Sequence, residues 1–581
     1  MKFNKEDTFE LFFSGLCTET PKGKQILRNL IGKFNGGSLI AIMGTSGAGK
    51  TTLLNTLSGY RPQNASFRQL QVNGTDTDFE HLAGISCYLT QDIHLNDLLT
   101  VEENMRFAAD FKLGVTHSQI EKNAIIAELL DSFGLSATGT TRAGKLSGGE
   151  RKRLALALEM INDPKVIYLD EPTTGLDISA THLILAYLKK IAGTGKTVIC
   201  TIHQVCASHF DLFDHVYVIA EGKCAYQGPP QELVPFLDKQ GMPCNIYHNP
   251  AEYLIELCSG DFGDDKATVL IKASQNGNTF IEQHPKMARQ DSCDINCFKT
   301  ENATWSYQWK TLLKREYTKL TRNLILVPMR IFGSNVLAFF LGLLFWNFGN
   351  DASKVIFSYH FVLGVTANVL LTGFMYPILS FPLEMELVKR EHYNRYYSIL
   401  QYYMTVFILD LPVSLVAISS SSMLAWYMSG QPIESERIMV FLLFIVTFGC
   451  VVNAVGFFFG TLNLSIGASL LACTVSQLPM LVISGYAMFF QDMHWFYERL
   501  GTFGYVRNGV QGCAVAIFGL STRKLMCPEE EEYCFYKEPH RLLIDMGIDP
   551  FHYAKCFYML VVWLVAVRVA TYFTMKYRLS I

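Results

Sequence analysis

SLIAIMGTSGAGKTTLLNTLSGY, residues 38–60, decides the fold. An apolar run of strand character, a glycine-rich bend and a helix-forming run follow one another without a gap. Gly44 to Thr51 fits the pattern GxxxxGK[ST] without a mismatch, in the strand–loop–helix context the pattern requires. Glycines let successive backbone N–H groups turn toward phosphate oxygens, and the following helix N-terminus adds favourable partial charge. Gly44, Thr45, Ser46, Gly47, Ala48, Gly49, Lys50, Thr51 and Thr52 are therefore the expected ATP-binding residues. Lys50 is expected to reach the β- and γ-phosphates, and the Thr51 hydroxyl to ligate Mg2+.

Further along, VIYLDE (166–171) is a strand ending in two carboxylates. Downstream of a phosphate loop, Asp170 is placed to hold the Mg2+ shell and Glu171 to polarise an attacking water. SLIAIMG, VIYLDE and TVICTIH (197–203) read as buried strands alternating with helices, an α/β pattern. A polar stretch over 261–294 reads as a connecting region.

The second half has a different character. Of 581 residues, 50% are hydrophobic and only 17% charged, well below the roughly 25% of soluble domains. After Arg322 come six apolar blocks, placed at about 325–348, 355–380, 402–428, 438–461, 466–490 and 554–575. Each reaches the roughly 20 residues needed to cross a bilayer. The net charge of −3 gives no sign of a nucleic-acid binder. MKFNKEDTFELFFSGLC has no long apolar core behind a basic start, so no cleaved signal peptide is expected.

Six spans return the C-terminus to the side of the ATPase, the cytosol. Lys389, Arg390 and Arg395, read as the turn after the second helix, and Lys576 and Arg578 at the end fit the positive-inside rule. Residues 491–553 then lie outside, with the acidic run Glu529 to Glu532. An oxidising exterior permits a Cys527–Cys534 disulfide across six intervening residues; two free thiols are the alternative. The remaining cysteines, of fifteen, read as small buried hydrophobes. Sequons at Asn64, Asn73, Asn302 and Asn463 all fall on the cytosolic side, so little N-glycosylation is expected. Asn335, Asn453 and Gln477 are candidates for hydrogen bonds between spans, and Asp410, before Pro412, for a place near the headgroups. Few charges are read deep in the spans, which argues for a large apolar cargo over an ion channel or proton-coupled carrier. Thr311 to Leu320 alternates basic and apolar residues, as an amphipathic helix at the cytosolic surface would.

Between the phosphate loop and the carboxylate strand stands Leu146-Ser147-Gly148-Gly149-Glu150, which resembles the signature of ATP-binding-cassette (ABC) proteins. Gln91 in YLTQD resembles their Q-loop, Gly175-Leu176-Asp177 their D-loop and His203 in TIHQ their switch histidine. The resemblance implies that Gln91 joins Thr51 and Asp170 around Mg2+, and that Gln91 and His203 join Glu171 in hydrolysis. It also implies head-to-tail pairing, in which Ser147, Gly148, Gly149 and Glu150 act on the nucleotide held by a partner's Lys50. With one phosphate loop and one signature per chain, a second chain is needed, identical or related. The ATPase-first order resembles the G (White) subfamily. GKFNGGSLIAIMG, LSGGERKRLALALEMINDP and TIHQ match its style. YHNPAEYLIELCSG, FPLEMELVKREHYNRYYS, CPEEEEYC and the tail HYAKCFYMLVVWLVAVRVATYF look most like its sterol- and phospholipid-exporting branch. Val205 and Thr45 stand where the family usually has Pro.

The resemblance thus implies a cytosolic α/β P-loop ATPase domain (1–260), a linker (261–304) and an all-α transmembrane domain of six helices (305–581). The expected activity is ATP-driven export of lipid or sterol-like cargo by a dimer. Export of pigment precursors or xenobiotics, or an ATP-gated channel or regulator, are the alternatives. By resemblance the second and fifth spans line the cargo path, with Phe374, Met375, Met480 and Ile483 as candidate contacts. The expected place is the plasma membrane, with an endosomal membrane as the alternative and both termini cytosolic.

Overall fold

The computed structural model describes residues 9–20, 23–60, 65–203, 206–260, 265–277, 303–462, 465–520, 525–527, 534–551 and 553–580. Val205, the sequons at Asn64, Asn302 and Asn463, residues 278–302 and Glu529 to Glu532 lie outside them. The chain divides into two compact units: residues 1–311 with Arg390–Tyr397, and Leu312–Lys389 with Ser398–Ser580.

The first unit is built on two sheets. One has the order β11-β10-β3-β9-β8-β7, with β3 Leu39–Gly44, β7 Ser86–Leu89, β8 Val166–Leu169, β9 Thr197–Thr201, β10 His215–Ala220 and β11 Lys223–Gly228. All its pairings are parallel except β10 with β11. Every residue of β3, β8, β9 and β10 is buried, because helices cover a parallel sheet on both faces and its strands become continuous apolar runs. The other sheet is antiparallel: β1 (Leu11–Glu19) pairs with β2 (Gln25–Phe34), β4 (Ala65–Ser66) and β5 (Gln69–Val72), and β5 with β6 (Thr75–Asp76).

Part of the segment read as a linker is regular structure. Asp265–Ser274 is a helix packed on β11, followed by the turn Gln275–Gly277. Ser274 Oγ donates to the Cys224 carbonyl at 2.7 Å. Asn276 accepts from the Cys224 N–H at 2.7 Å and donates to the carbonyls of Arg28 and Asn29. The polar residues on either side concealed this helix, half of whose own residues are apolar; side-chain bonds to strand edges hold it in place.

Among its described residues the second unit contains six helices long and apolar enough to cross a membrane: Leu326–Leu344, Ala352–Tyr393, Ile399–Met428, Ser435–Thr461, Ile466–Tyr486 and Tyr553–Leu579. The second is 42 residues long, roughly 60 Å at about 1.5 Å per residue, twice the hydrocarbon thickness. Lys389 and Arg390 are thus helical rather than in a turn; the chain reverses around Arg395, at φ 58°. The last helical residues fall in the Arg390–Tyr397 segment, which belongs to the first unit. There Tyr393 donates to the Ser58 carbonyl, Asn394 exchanges bonds with the Tyr88 backbone at 3.1 and 3.2 Å, and Tyr396 donates to Glu159 at 3.1 Å. The fifth span ends in a π-turn over Val482–Tyr486, with Gly485 at φ 94°.

Asn335 donates to Ser420 Oγ at 2.9 Å, linking first and third spans, and Asn453 accepts from Arg568 at 3.1 Å, linking fourth and sixth. Gln477 accepts from Tyr505. Asp410, read from the sequence as a candidate for a place near the headgroups, has a side-chain partner. It is buried against Arg330 at 2.7 Å, and Ser414 bonds both partners. Arg437, Arg507 and Arg568 also bond within the bundle, to the carbonyls of Ile517 and Glu498 and to the Asn453 side chain. Residues 491–553 are not simply a polar loop either. Tyr505–Ala514 is a nearly fully buried helix packed on the fourth and sixth spans. Cys527 and Cys534 are joined, with Cα atoms 5.9 Å apart.

Candidate active site

Backbone conformation comes first. Gly44, Gly47 and Gly49 lie at φ 149°, 78° and 106°, values that L side chains rarely adopt. A Cβ on Gly44 would press into the Ile219 carbonyl, which is backbone of the neighbouring strand β10. Glycine there lets the chain turn out of β3 into the helix Lys50–Ser58. Lys50 is buried and folds back over the loop, donating to the carbonyls of Gly44 at 2.9 Å and Thr45 at 3.1 Å. Burial pulls its ammonium below the ordinary lysine range, against the opposing charges of Glu171 and Asp170.

The carboxylates come from the end of β8. Asp170 accepts from Thr201 Oγ at 2.6 Å and from Thr51 Oγ at 3.2 Å. Burial raises its carboxyl above the usual range, opposed by those two bonds. Glu171 takes a left-handed φ of 48° and its N–H donates to Thr201 Oγ at 2.8 Å. Its side chain accepts from Gln91 Nε2 at 2.8 Å and from Thr174 Oγ at 2.9 Å. Parallel pairing of β7 with β8 brings Gln91, two residues beyond β7, to the carboxylates. Lys50, Thr51, Gln91, Asp170 and Glu171, 121 positions apart at the extremes, thus form one cluster of bonded and charge-coupled groups.

The signature and D-loop form a second cluster. Ser147 caps the helix Gly148–Met160 in a reciprocal box, its N–H donating to Glu150 at 2.8 Å and its hydroxyl accepting from the Glu150 N–H at 3.3 Å. The bond from the Ser147 N–H first, and then a bond donated by Ser147 Oγ to the same carboxylate at 2.8 Å, hold the Glu150 carboxyl below its ordinary range. Asp177 caps the helix Ile178–Ala192, accepting from the Ala180 N–H at 2.7 Å. Ser147, Gly148, Gly149, Gly175, Leu176 and Asp177 line one open concavity of about 290 Å³, with no phosphate-loop residue among its described lining. His203 is exposed just past β9.

The set fits a divalent cation. Thr51 and Asp170 supply adjacent hard oxygen donors, and the Asp170 carboxyl is buried without a bonded cationic side chain among the described contacts. Of the proposed cargo residues, Phe374 is 2% exposed and packs among the protomer's own helices against Gly456, whereas Met375 is 41% exposed. Ile483 is buried in the π-turn, and Met480 is partly buried.

Residues 27–174 match the family described as "ABC transporter", and residues 307–515 that described as "ABC-2 type transporter". The fold and site therefore define a cassette ATPase joined to a membrane domain. "Protein scarlet" of Drosophila melanogaster is 30% identical over 78% of this chain and 72% of its own length. The "Broad substrate specificity ATP-binding cassette transporter ABCG2" of Bos taurus is 27% identical over 81% and 76%. "Protein white" of Drosophila melanogaster is 30% identical over 70% and 62%. The chain belongs to the G (White) subfamily of ABC transporters, as a half-transporter. It is a multi-pass membrane protein that hydrolyses ATP to drive transport.

Proposed function

We propose that two copies of this chain, or one copy and a related half-transporter, pair head to tail and export lipid or sterol-like molecules. The observation that carries the pairing is the separation of the two clusters: one chain holds a phosphate cradle with its carboxylates and, in another concavity, a signature facing no phosphate loop. The phosphate loop cradles the triphosphate, with Lys50 turning from the Gly44 and Thr45 carbonyls toward it. Thr51 and Asp170 would hold Mg2+, with Gln91 as the further ligand the resemblance implies; the ion would neutralise charge on the phosphate oxygens. Glu171, held by Gln91 and Thr174, takes the proton of the attacking water, and His203 supports the transferred phosphoryl group. The partner's signature completes the γ-phosphate shell.

An apolar cargo is supported by the open faces of two spans. Leu371, Met375, Leu379 and Leu383 on the second, and Leu471, Val475, Leu478 and Val482 on the fifth, are exposed within one chain, while Arg330, Asp410 and Arg568 bond inside the bundle. Met375 is thus retained as a cargo contact; Phe374 would need helix movement to serve as one. ATP is cytosolic, which places the first unit and both termini in the cytosol and residues 491–553 outside; the plasma membrane is the proposed site. ATPase activity of the reconstituted protein, measured across sterols, phospholipids and planar aromatic compounds, tests the reading. Stimulation by sterol or phospholipid is expected. Stimulation by the aromatic compounds alone would reassign the cargo, and passive ionic current would overturn export.

A further inference from the structure

The helix that opens with the signature reaches the carboxylate cluster of its own chain through Lys152. This residue lies five positions after Ser147, on the second turn of Gly148–Met160. Its Nζ donates at 2.5 Å to the carbonyl of Thr174. Thr174 in turn donates through Oγ to Glu171 Oε2 at 2.9 Å and through its N–H to the Glu171 carbonyl at 3.3 Å. Lys152 also lines a small cavity, about 20 Å³, together with Gln91, Asp170, Glu171 and Pro172. Burial draws its amine below the ordinary lysine range, and the Glu171 carboxylate is the charge that opposes this.

Glu171 needs such support. A non-glycine residue at φ 48° persists only where its surroundings fix it. Thr201 holds its backbone N–H, and Gln91 and Thr174 its carboxylate. Thr174 is the one of these partners that lies in the same turn as Glu171, so it must itself be anchored from outside that turn. The Lys152 bond supplies an anchor from a rigid helix. Directly after Thr174 the chain runs into Gly175, Leu176 and Asp177, which share the open concavity with Ser147 and Gly149.

We infer that Lys152 is a positioning residue for ATP hydrolysis, acting through the Thr174–Glu171 turn of its own chain. One helix then serves two nucleotides: its N-terminus meets the partner's, and its second turn sets the base that cleaves its own. A shift of the signature on meeting the partner's γ-phosphate is passed to Glu171 without leaving the chain. The inference rests on the reading that Glu171 polarises the attacking water.

The test uses full-length dimers and Mg-ATP. Lys152→Met should lower kcat by about tenfold, the loss of one charged hydrogen bond, with KM for ATP changed less than about twofold because the phosphate loop is untouched. Lys152→Arg, which keeps charge and donor, should restore most of kcat. A wild-type kcat in Lys152→Met, or a KM that rises with kcat unchanged, would overturn the inference. Covalently linked dimers with Glu171→Gln in one chain then locate the effect, by single-turnover phosphate release from the intact base. Lys152→Met placed beside the intact Glu171 should slow release; placed in the Glu171→Gln chain it should not. The reverse pattern would mean that Lys152 acts on the partner's nucleotide, and equal slowing would mean a general disturbance; either sinks the inference. Glu171→Gln in both chains is the control. Release that persists there would show that the reading of Glu171 as base had failed, and the inference with it.

Discussion

Glu171 and Gly44 pose opposite demands on substitution. Glu171 is a matter of chemistry: glutamine keeps the shape and the hydrogen-bond partners but cannot take a proton. Glu171→Gln should therefore abolish turnover, by at least about a hundredfold for loss of a general base, while ATP binding persists and closed, ATP-bound dimers accumulate. Trapped nucleotide per chain and steady-state phosphate release check this together; near-normal release would assign the base elsewhere. Gly44 is a matter of space. Its φ of 149° and the Ile219 carbonyl beside it leave no room for a methyl group. Gly44→Ala should thus weaken ATP binding itself, because a rigid neighbouring strand cannot yield and the loop must open. A KM at least about tenfold higher is expected, roughly 1.4 kcal/mol of lost binding; an unchanged ATP titration would show that the loop tolerates the added atom.

Between elements, long-range polar contacts carry much of the organisation in the membrane unit. Arg330 on the first span and Asp410 on the third are both nearly buried and paired at 2.7 Å. Removing one partner strands the other, a cost of about 3–5 kcal/mol, whereas replacing both by apolar residues can be neutral. Asp410→Ala should accordingly lower the thermal midpoint and the folded yield in detergent, and Arg330→Met with Asp410→Leu should recover most of the loss. Equal loss in the single and double variants would assign the pair a role other than packing. The Cys527–Cys534 bridge acts more locally. Closing so short a loop contributes about 2–3 kcal/mol in the chain-entropy model. Cys527→Ser should cut folding yield or surface delivery and leave ATPase rate per folded chain unchanged; mass spectrometry of non-reduced peptides checks the bridge itself. These elements differ in how far the sequence revealed them. The phosphate loop, Asp170 with Glu171, and Ser147 with Glu150 were legible because their chemistry depends on neighbours within a few residues, or on a strand and helix flanking them. Six spans were legible because length and apolarity are local properties. Arg330 with Asp410, 80 residues apart, was not. The helix Tyr505–Ala514 was hidden because its burial comes from packing on the fourth and sixth spans, distant in sequence, while Arg507 and Asn508 bond the nearby carbonyls of Glu498, Thr502 and Gly504. Lys152 escaped notice because a basic run after the signature reads as an exposed helix face until Thr174 is seen opposite it.

At the scale of the whole molecule the decisive fact is an inventory. One chain has one phosphate loop, one signature and one pair of acidic residues ending β8. Within the chain the signature lines a concavity with the D-loop and without phosphate-loop residues among those described. On the proposed head-to-tail pairing a nucleotide is enclosed by two chains, and closure of the pair engages two nucleotides at once. Lys50→Met tests this at a distance. The substitution removes the ammonium that bonds the Gly44 and Thr45 carbonyls and leaves an uncharged chain of similar length. In a covalently linked dimer with Lys50→Met in one half only, the other half keeps every residue of its own phosphate loop and carboxylate cluster. Independent sites would give half the wild-type turnover. Shared sites predict much less, at most about a tenth, because the signature facing the damaged loop finds no well-held γ-phosphate and the pair closes poorly. ATP hydrolysis and cargo movement by the linked protein, each normalised to folded dimer, provide the measurement. Turnover at the full wild-type rate per intact site would show that each chain completes its own site, and would overturn the head-to-tail pairing on which the proposed export cycle depends.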